Sequence, residues 1–433
     1  MKALELSLFN FRCAREVILN ELQTDLNLFV GVNGAGKTTI LDALAHLLSF
    51  ANARLRSPHG KGSPLQEMDI RDTSGTAALG VMAHSGQACA DVSWSLIQTR
   101  AGHNPRIPVY INSLTDGPVE INRWAHAIRN EIENTQERCN LPVFVYYPIF
   151  RAVLDIPLRI RKLHEFGLLQ SSEGALPVGK KAKHTGIGFR EFFEWFRNRE
   201  DLENEKFREL GQLQPDPQLQ AVRSALTVFL PEFRDISIKR NPLRMIATKQ
   251  GRFIRVDQMS DGEKSLLALI GDLARRLAIA NPARPNPLQG EGIVLIDEID
   301  LHLHPSWQRT VIPNLLRTFP NCQFFITTHS PQVLGEVKPR CVYLLRQDEA
   351  GELTVGRTEQ SLGLDSAEIL EMLMESPRRD EKVTGDLEKL FDLIDRGEYE
   401  AARTKIVDLK LRLHGDIPEI VRAEALLTMY AGE

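Results

Sequence analysis

The chain has 433 residues, of which 42% are hydrophobic and 25% charged, and a formal net charge of −4 at pH 7. That is the size of two or three ordinary globular domains, and the balance excludes a molecule that binds polyanions over its whole surface. No run approaches the ~18 apolar residues that cross a bilayer, and the first residues alternate like a strand instead of forming a signal-peptide core. The five cysteines are scattered without a C-x-x-C pair. That disfavours a disulfide framework or zinc site, and a cytoplasmic protein without membrane contact is expected.

Three strand-like runs open the chain, at 4–11, 16–22 and 26–30. The third runs into Gly31-Val32-Asn33-Gly34-Ala35-Gly36-Lys37-Thr38-Thr39, which fits the phosphate-binding pattern G-x-x-x-x-G-K-[ST]. Residues 38–50 then repeat apolar side chains at helical spacing. A glycine-rich turn before a helix is the plain alternative, but motif and context agree on a nucleoside triphosphate site. Backbone N–H groups of Asn33, Gly34, Ala35, Gly36, Lys37, Thr38 and Thr39 would cradle the phosphates at a helix N-terminus. Lys37 would reach the outer phosphates and Thr38 would place its hydroxyl on Mg²⁺, so ATP and Mg²⁺ are the expected cofactors.

Between about 75 and 115 the pattern turns to period two, which predicts an antiparallel sheet. A helix over 121–139 and a buried strand over 141–147 follow. Residues 157–190 gather Arg159, Arg161, Lys162, Lys180, Lys181, Lys183 and Arg190. A solvated loop is the ordinary reading of such a run, and a phosphate-backbone contact the sharper one. Helices are predicted over 188–210 and 217–230; the stripe Phe189, Phe192, Phe193 and Phe196 on the first reads as packing. A hairpin or meander is expected over 236–257, a helix from Met259-Ser260-Asp261-Gly262-Glu263 to 280, and a proline-rich breaker over 281–290.

An apolar strand at 293–296 ends in Asp297-Glu298, and another at 323–327 ends in Thr328-His329. Asp297 would hold Mg²⁺, and Glu298 would act as general base on the attacking water. Two more strands, 341–345 and 352–355, precede a wholly helical remainder from 366. There Ile369, Leu370, Leu373 and Met374, and then Leu387, Leu390, Phe391 and Ile394, fall at helical spacing.

Ser260-Asp261-Gly262-Glu263 is by itself an N-cap. Between a phosphate loop and an Asp-Glu strand it resembles the signature motif of the ABC ATPase superfamily, and His329 sits where that family's switch histidine stands. The resemblance implies a composite site, in which Ser260, Gly262 and Glu263 complete the pocket of a second copy, so a homo-oligomer of at least two chains is expected. Asp297-Glu298-Ile299-Asp300-Leu301-His302-Leu303-His304-Pro305 and the strand into His329-Ser330-Pro331 look like the RecF, SMC-like and OLD-type ATPases. Together with Val145-Tyr146-Tyr147-Pro148 and the helical tail, the chain resembles the PtuA family, the ATPase subunits of Septu anti-phage systems. That implies an ATPase that senses or regulates, gating a separate PtuB-like HNH nuclease, with the helical tail as docking surface; a helical cap that merely covers the ATPase sheet is the plain alternative for the tail.

The alternatives are a RecF-like repair clamp gripping nucleic acid, through 159–190 for example, and a transporter subunit, which the sequence after Glu298 disfavours. The chain departs from its relatives in lacking a long coiled-coil pattern and an acidic cluster after His329, so an intrinsic nuclease is not expected. The glutamine that such ATPases place on Mg²⁺ has two candidates, Gln66 and Gln98. The expected fold is α/β: an ABC-type P-loop ATPase core with an antiparallel β subdomain, a helical insertion and an all-helical C-terminal region. The expected divisions are 1–150, 151–235, 236–360 and 361–433.

Overall fold

The computed structural model of the chain describes residues 1–71, 75–86, 90–101, 109–115, 118–136, 138–149, 167–178, 189–212 and 214–431. Alternating burial marks the opening as a strand with one wet face. The antiparallel pair β1 (Lys2–Phe11) and β2 (Ala14–Leu19) leads to β3 (Leu26–Val30), buried at all five positions, and α1 (Lys37–Arg56). β4 (Thr76–Ser85), β5 (Ala90–Ala101), β6 (Val109–Thr115), α2 (Pro118–Thr135) and β7 (Val143–Tyr147) follow. Then come α3 (Phe189–Leu210), α4 (Pro217–Phe229), β8 (Phe233–Arg240), β9 (Leu243–Lys249), β10 (Arg252–Arg255), α5 (Asp261–Ala280) and β11 (Gly292–Ile296). α6 (Pro305–Thr318), β12 (Cys322–Thr328), α7 (Pro331–Leu334), β13 (Val342–Gln347) and β14 (Leu353–Arg357) complete the larger part, and α8 (Ser366–Met372), α9 (Glu381–Asp395), α10 (Tyr399–Leu413) and α11 (Pro418–Ala431) the rest.

The strands form three sheets: a six-stranded one in the order β14-β13-β3-β12-β11-β7, a five-stranded one in the order β2-β1-β4-β5-β6, and the three-stranded β10-β9-β8. In the first, β7, β11, β12, β3 and β13 run parallel and only β14 is antiparallel. Parallel strands covered on both faces read as apolar runs, as β7 and β11 do, while β3 and β12 are equally buried but carry Asn27, Gln323 and two closing threonines. The register decides where the chemistry falls. Val30 pairs with Thr328, Ile326 with Ile296, and Ile296 with Tyr147. The carboxyl ends of four neighbouring strands therefore lie together, and the loops after them converge at one edge, the usual ligand position of such sheets.

Buried polar ties hold the strand ends to the helices. Asp272 of α5, 1% exposed, accepts from Arg275 and Arg276 at 2.6 Å each and from the Tyr147 hydroxyl at 3.0 Å. Burial works against its charge, but the two guanidiniums outweigh it and hold its carboxyl below the ordinary value. Phe189, Phe192, Phe193 and Phe196 are all at most 1% exposed, so the aromatic stripe is packing. The predicted 236–257 segment is the three-stranded meander β8–β10. Arg159, Arg161, Lys162, Lys180, Lys181 and Lys183 lie outside the described residues, and Arg190 donates to Glu194 at 2.9 Å.

The chain divides into two compact units, Met1–Asp365 and Ser366–Glu433. The second has its own core, with Leu387, Leu390 and Ile394 of α9 meeting Ala402, Ile406 and Leu409 of α10 and Ile420, Ala423 and Leu427 of α11. Helices of this length are marginal alone, and this mutual burial is what stabilises them. No helix among the described residues is long and apolar enough to cross a membrane.

Candidate nucleotide-hydrolysis site

The phosphate loop turns directly out of β3. Gly36 caps α1 at φ 94°, a left-handed conformation that L side chains adopt only under strain, and a Cβ there would meet Cys13 Sγ at 2.8 Å. Lys37 folds back beneath the loop: its Nζ donates to the carbonyls of Gly31 at 3.0 Å and Val32 at 3.1 Å. Its side chain is buried, which lowers the ammonium pKa; the carboxylates of Glu298, Asp297 and Asp300 work in the opposite direction. Thr39 turns inward, 3.4 Å from Cys13 Sγ, while Asn33 and Gly34 are exposed at the loop tip.

Four sequence-predicted residues meet here. Thr38 Oγ1 donates to Asp297 Oδ2 at 2.9 Å, joining the start of α1 to the end of β11. Asp297 is 1% exposed, and its other oxygen accepts from Thr327 Oγ1 at 2.5 Å. The same Thr327 hydroxyl accepts the Glu298 N–H at 2.7 Å, so one side chain of β12 orients both acids. Glu298 sits at φ 47°, an uncommon left-handed backbone for a non-glycine residue. Its Oε1 lies 3.6 Å from His329 Nε2, a buried nitrogen with no hydrogen-bond partner among the described residues. Burial and the nearby Lys37 lower the His329 pKa, partly offset by Glu298, Asp300 and Asp297, so the imidazole is neutral at pH 7.

Thr327, Thr328 and Asp300 carry no motif that marks them in the sequence, yet they complete the cluster. Thr328 Oγ1 donates to Asp300 Oδ1 at 2.5 Å and accepts from the Ser330 N–H at 3.0 Å, which ties the His329 turn to the segment after Glu298. The available signal was two threonines, both 0% exposed, closing an apolar strand. Buried hydroxyls need partners, and the nearest strand end supplies carboxylates.

Among the described residues the hydrogen bonds of the signature segment run within itself and to Lys249. Ser260 Oγ accepts from Glu263 N–H at 3.3 Å, and Glu263 Oε2 accepts from Ser260 N–H at 2.7 Å, a capping box. Glu263 Oε1 also accepts from Lys249 at 2.7 Å; burial opposes the charge, but these donors hold the carboxyl below its ordinary value. Gly262 abuts the loop after Glu298, where a Cβ would come within 2.4 Å of the His302 carbonyl. Ser260 and Asp261 face solvent. Of the two glutamines, Gln66 donates its backbone N–H to Asp69 at 2.8 Å, and Gln98 is buried in β5, its Oε1 without a partner among the described residues.

The residues fit a magnesium nucleotide. Thr38 Oγ1 and Asp297 Oδ2 are two adjacent hard oxygens, the donor set that Mg²⁺ shares with phosphates and water. Lys37 lies under a loop whose N–H groups begin a 20-residue helix.

A family model described as "AAA domain, putative AbiEii toxin, Type IV TA system" matches residues 108–335, more than half of the chain, and a second, described as "AAA ATPase domain", matches 1–81. The chain is 27% identical over 456 residues to the "Retron Vc95 probable ATPase" of Vibrio cholerae serotype O1 biovar El Tor, covering 94% of this chain and 86% of that protein. It is 28% identical over 244 residues to the "Septu protein PtuA" of Bacillus thuringiensis, covering 54% of this chain and 60% of that one. Among solved structures, the SMC head domain from Thermotoga maritima is similar at a TM-score of 0.46 and 14% identity, over 83% of this chain and 100% of that one. The resemblance to PtuA stands, and the chain belongs to the AAA-domain family whose model covers residues 108–335.

Proposed function

We propose that the chain is an ATP-hydrolysing subunit whose nucleotide cycle gates a separate nuclease in anti-phage defence. The observation that carries the hydrolytic part is the Thr327 hydroxyl, which holds Asp297 at 2.5 Å and the Glu298 N–H at 2.7 Å beside the phosphate loop. Thr38 and Asp297 would hold Mg²⁺, which when bound neutralises phosphate charge. Lys37 would turn its ammonium from the Gly31 and Val32 carbonyls toward the outer phosphates. Glu298 would accept the proton of the attacking water at a carboxylate oxygen, and neutral His329 would offer a ring N–H to the phosphate side.

The site is read as composite. Ser260 and Asp261 face solvent at the start of α5, and the capping box satisfies Ser260 and Glu263 within their own chain. The exposed Ser260 and Asp261 could meet the nucleotide of a second copy, which would make the working unit at least a dimer. Subunits carrying Lys37→Ala mixed with subunits carrying Ser260→Arg should regain partial ATPase activity, because one complete site forms per mixed dimer. Absence of recovery with both variants folded contradicts a shared site.

The defence role rests on the retron and Septu relatives. The nuclease partner, of the HNH type that the PtuA resemblance implies, is assigned to the helical unit 366–433, which lies outside every nucleotide-contacting motif. A chain ending near residue 358 should still hydrolyse ATP yet fail to co-purify with its nuclease; retention of the nuclease places docking elsewhere.

A further inference from the structure

The meander β8–β10 has two unlike faces. Its register puts Phe233, Ile238, Met245 and Ala247 on one, all buried. On the other, Lys239 pairs with Arg244, Thr248 lies between Arg234 and Phe253, and Ile246 between Ser237 and Arg255. Directly paired residues share a face, so four cations surround one aromatic ring on the outward side. Phe253 is 74% exposed, and Lys239 Nζ stands 5.3 Å from its ring centroid. A large aromatic left in water on the edge strand β10 gains little for folding.

The charge is local. Residues 233–255 carry seven lysines and arginines against one acid, Asp235, in a chain whose net charge is −4. Arg240, Lys249 and Arg255 are engaged by carboxylates. Arg234, Lys239 and Arg244 have no carboxylate within ion-pair distance among the described residues, and the Arg244 Nε is buried with no hydrogen-bond partner. Unneutralised cations at strand spacing match a phosphate backbone, and an exposed ring among them matches the face of an unpaired base.

We propose that this outward face binds single-stranded nucleic acid, with Arg234, Lys239 and Arg244 on phosphates and Phe253 stacked on a base. A duplex hides its base faces, which is why the ring selects single strands. The surface shares no residue with the nucleotide site, so this inference can fail while the ATPase reading holds, and the reverse.

Binding of a fluorescent oligothymidylate of about 20 nucleotides to the full chain, followed by anisotropy from about 50 to 200 mM salt, tests it. Phe253→Ala should weaken binding about tenfold and leave the salt slope unchanged. Arg234→Glu with Lys239→Glu and Arg244→Glu should flatten the slope by roughly two, since each single-strand phosphate contact contributes about 0.7. Both variants should keep the wild-type ATPase rate, which reports that they are folded. The proposal is overturned if the wild-type chain does not bind, if folded variants bind as it does, or if a duplex of equal length binds as tightly and Phe253→Ala is silent.

Discussion

Thr38 and Asp297 stand 259 residues apart in the chain and 2.9 Å apart in space, hydroxyl to carboxylate. The hydrogen bond joins the first turn of the phosphate-loop helix to the end of β11, and the register of the parallel sheet makes it geometrically available. Thr327 completes the arrangement from β12, the strand between them.

Thr327→Val should show what that middle strand contributes. The substitution keeps the shape but removes the donor to Asp297 and the acceptor for Glu298 N–H. Leaving such buried groups unsatisfied costs ~1–3 kcal/mol, and misplacing ligand-orienting groups costs roughly 10- to 100-fold in activity. Steady-state ATPase rates beside thermal melting separate the two effects; an unchanged rate shows that Thr327 does not orient the acids.

Gly262 lies where a Cβ would meet the His302 carbonyl at 2.4 Å. Gly262→Ala must push the start of α5 away from the loop after Glu298. Overpacking of this kind typically costs ~1–3 kcal/mol, so melting should fall and ATP turnover with it. A variant as stable and active as wild type would mean that the two segments are not in contact.

The histidine gives a pH signature. Burial and Lys37 lower the His329 pKa in the folded state below its ordinary value of about 6.5. The unfolded chain then binds more protons than the folded one between the two values. This histidine's contribution to stability is therefore complete above about pH 6.5 and is lost as pH falls through that region toward the folded pKa. Urea unfolding from about pH 8 to 5 should show a smaller acid loss in His329→Asn than in wild type; equal slopes assign the acid sensitivity to other groups.

How much of this was legible in the sequence follows from the kind of signal each part leaves. The phosphate loop, Asp297-Glu298 and His329 are local strings set against strands, and period two marked β4 and β5 correctly. The helix α6 leaves no clear periodic signal, since Pro313 inside it and polar positions along it break the pattern. Periodicity tells which side chains are buried but not which distant partner they find. Thr327 beside two acids, Asp272 between two arginines and the Tyr147 hydroxyl, and the cationic face around Phe253 all arise from pairing across strands or helices. Helical spacing alone explains the Phe189–Phe196 stripe as packing, and the structure buries it fully.

The helical unit makes a separable prediction. Leu390, 0% exposed, lies in the shared core of α9, α10 and α11. Leu390→Ala should destabilise that unit by ~2–5 kcal/mol and leave the ATPase rate at the wild-type level. Hydrogen exchange confined to 366–433 would register the change. Loss of ATP turnover in the same variant would mean that the two units do not behave independently.

The hydrolytic assignment itself stands or falls on Glu298. In Glu298→Gln the backbone N–H to Thr327 is retained and the phosphate loop is untouched, while the acceptor for the water proton is lost. ATP binding measured by equilibrium titration beside single-turnover hydrolysis gives the direct comparison. The account predicts near wild-type affinity, with turnover slowed by about 10²-fold or more and dimers trapped in the nucleotide-bound form. A variant that hydrolyses ATP at the wild-type rate would contradict it.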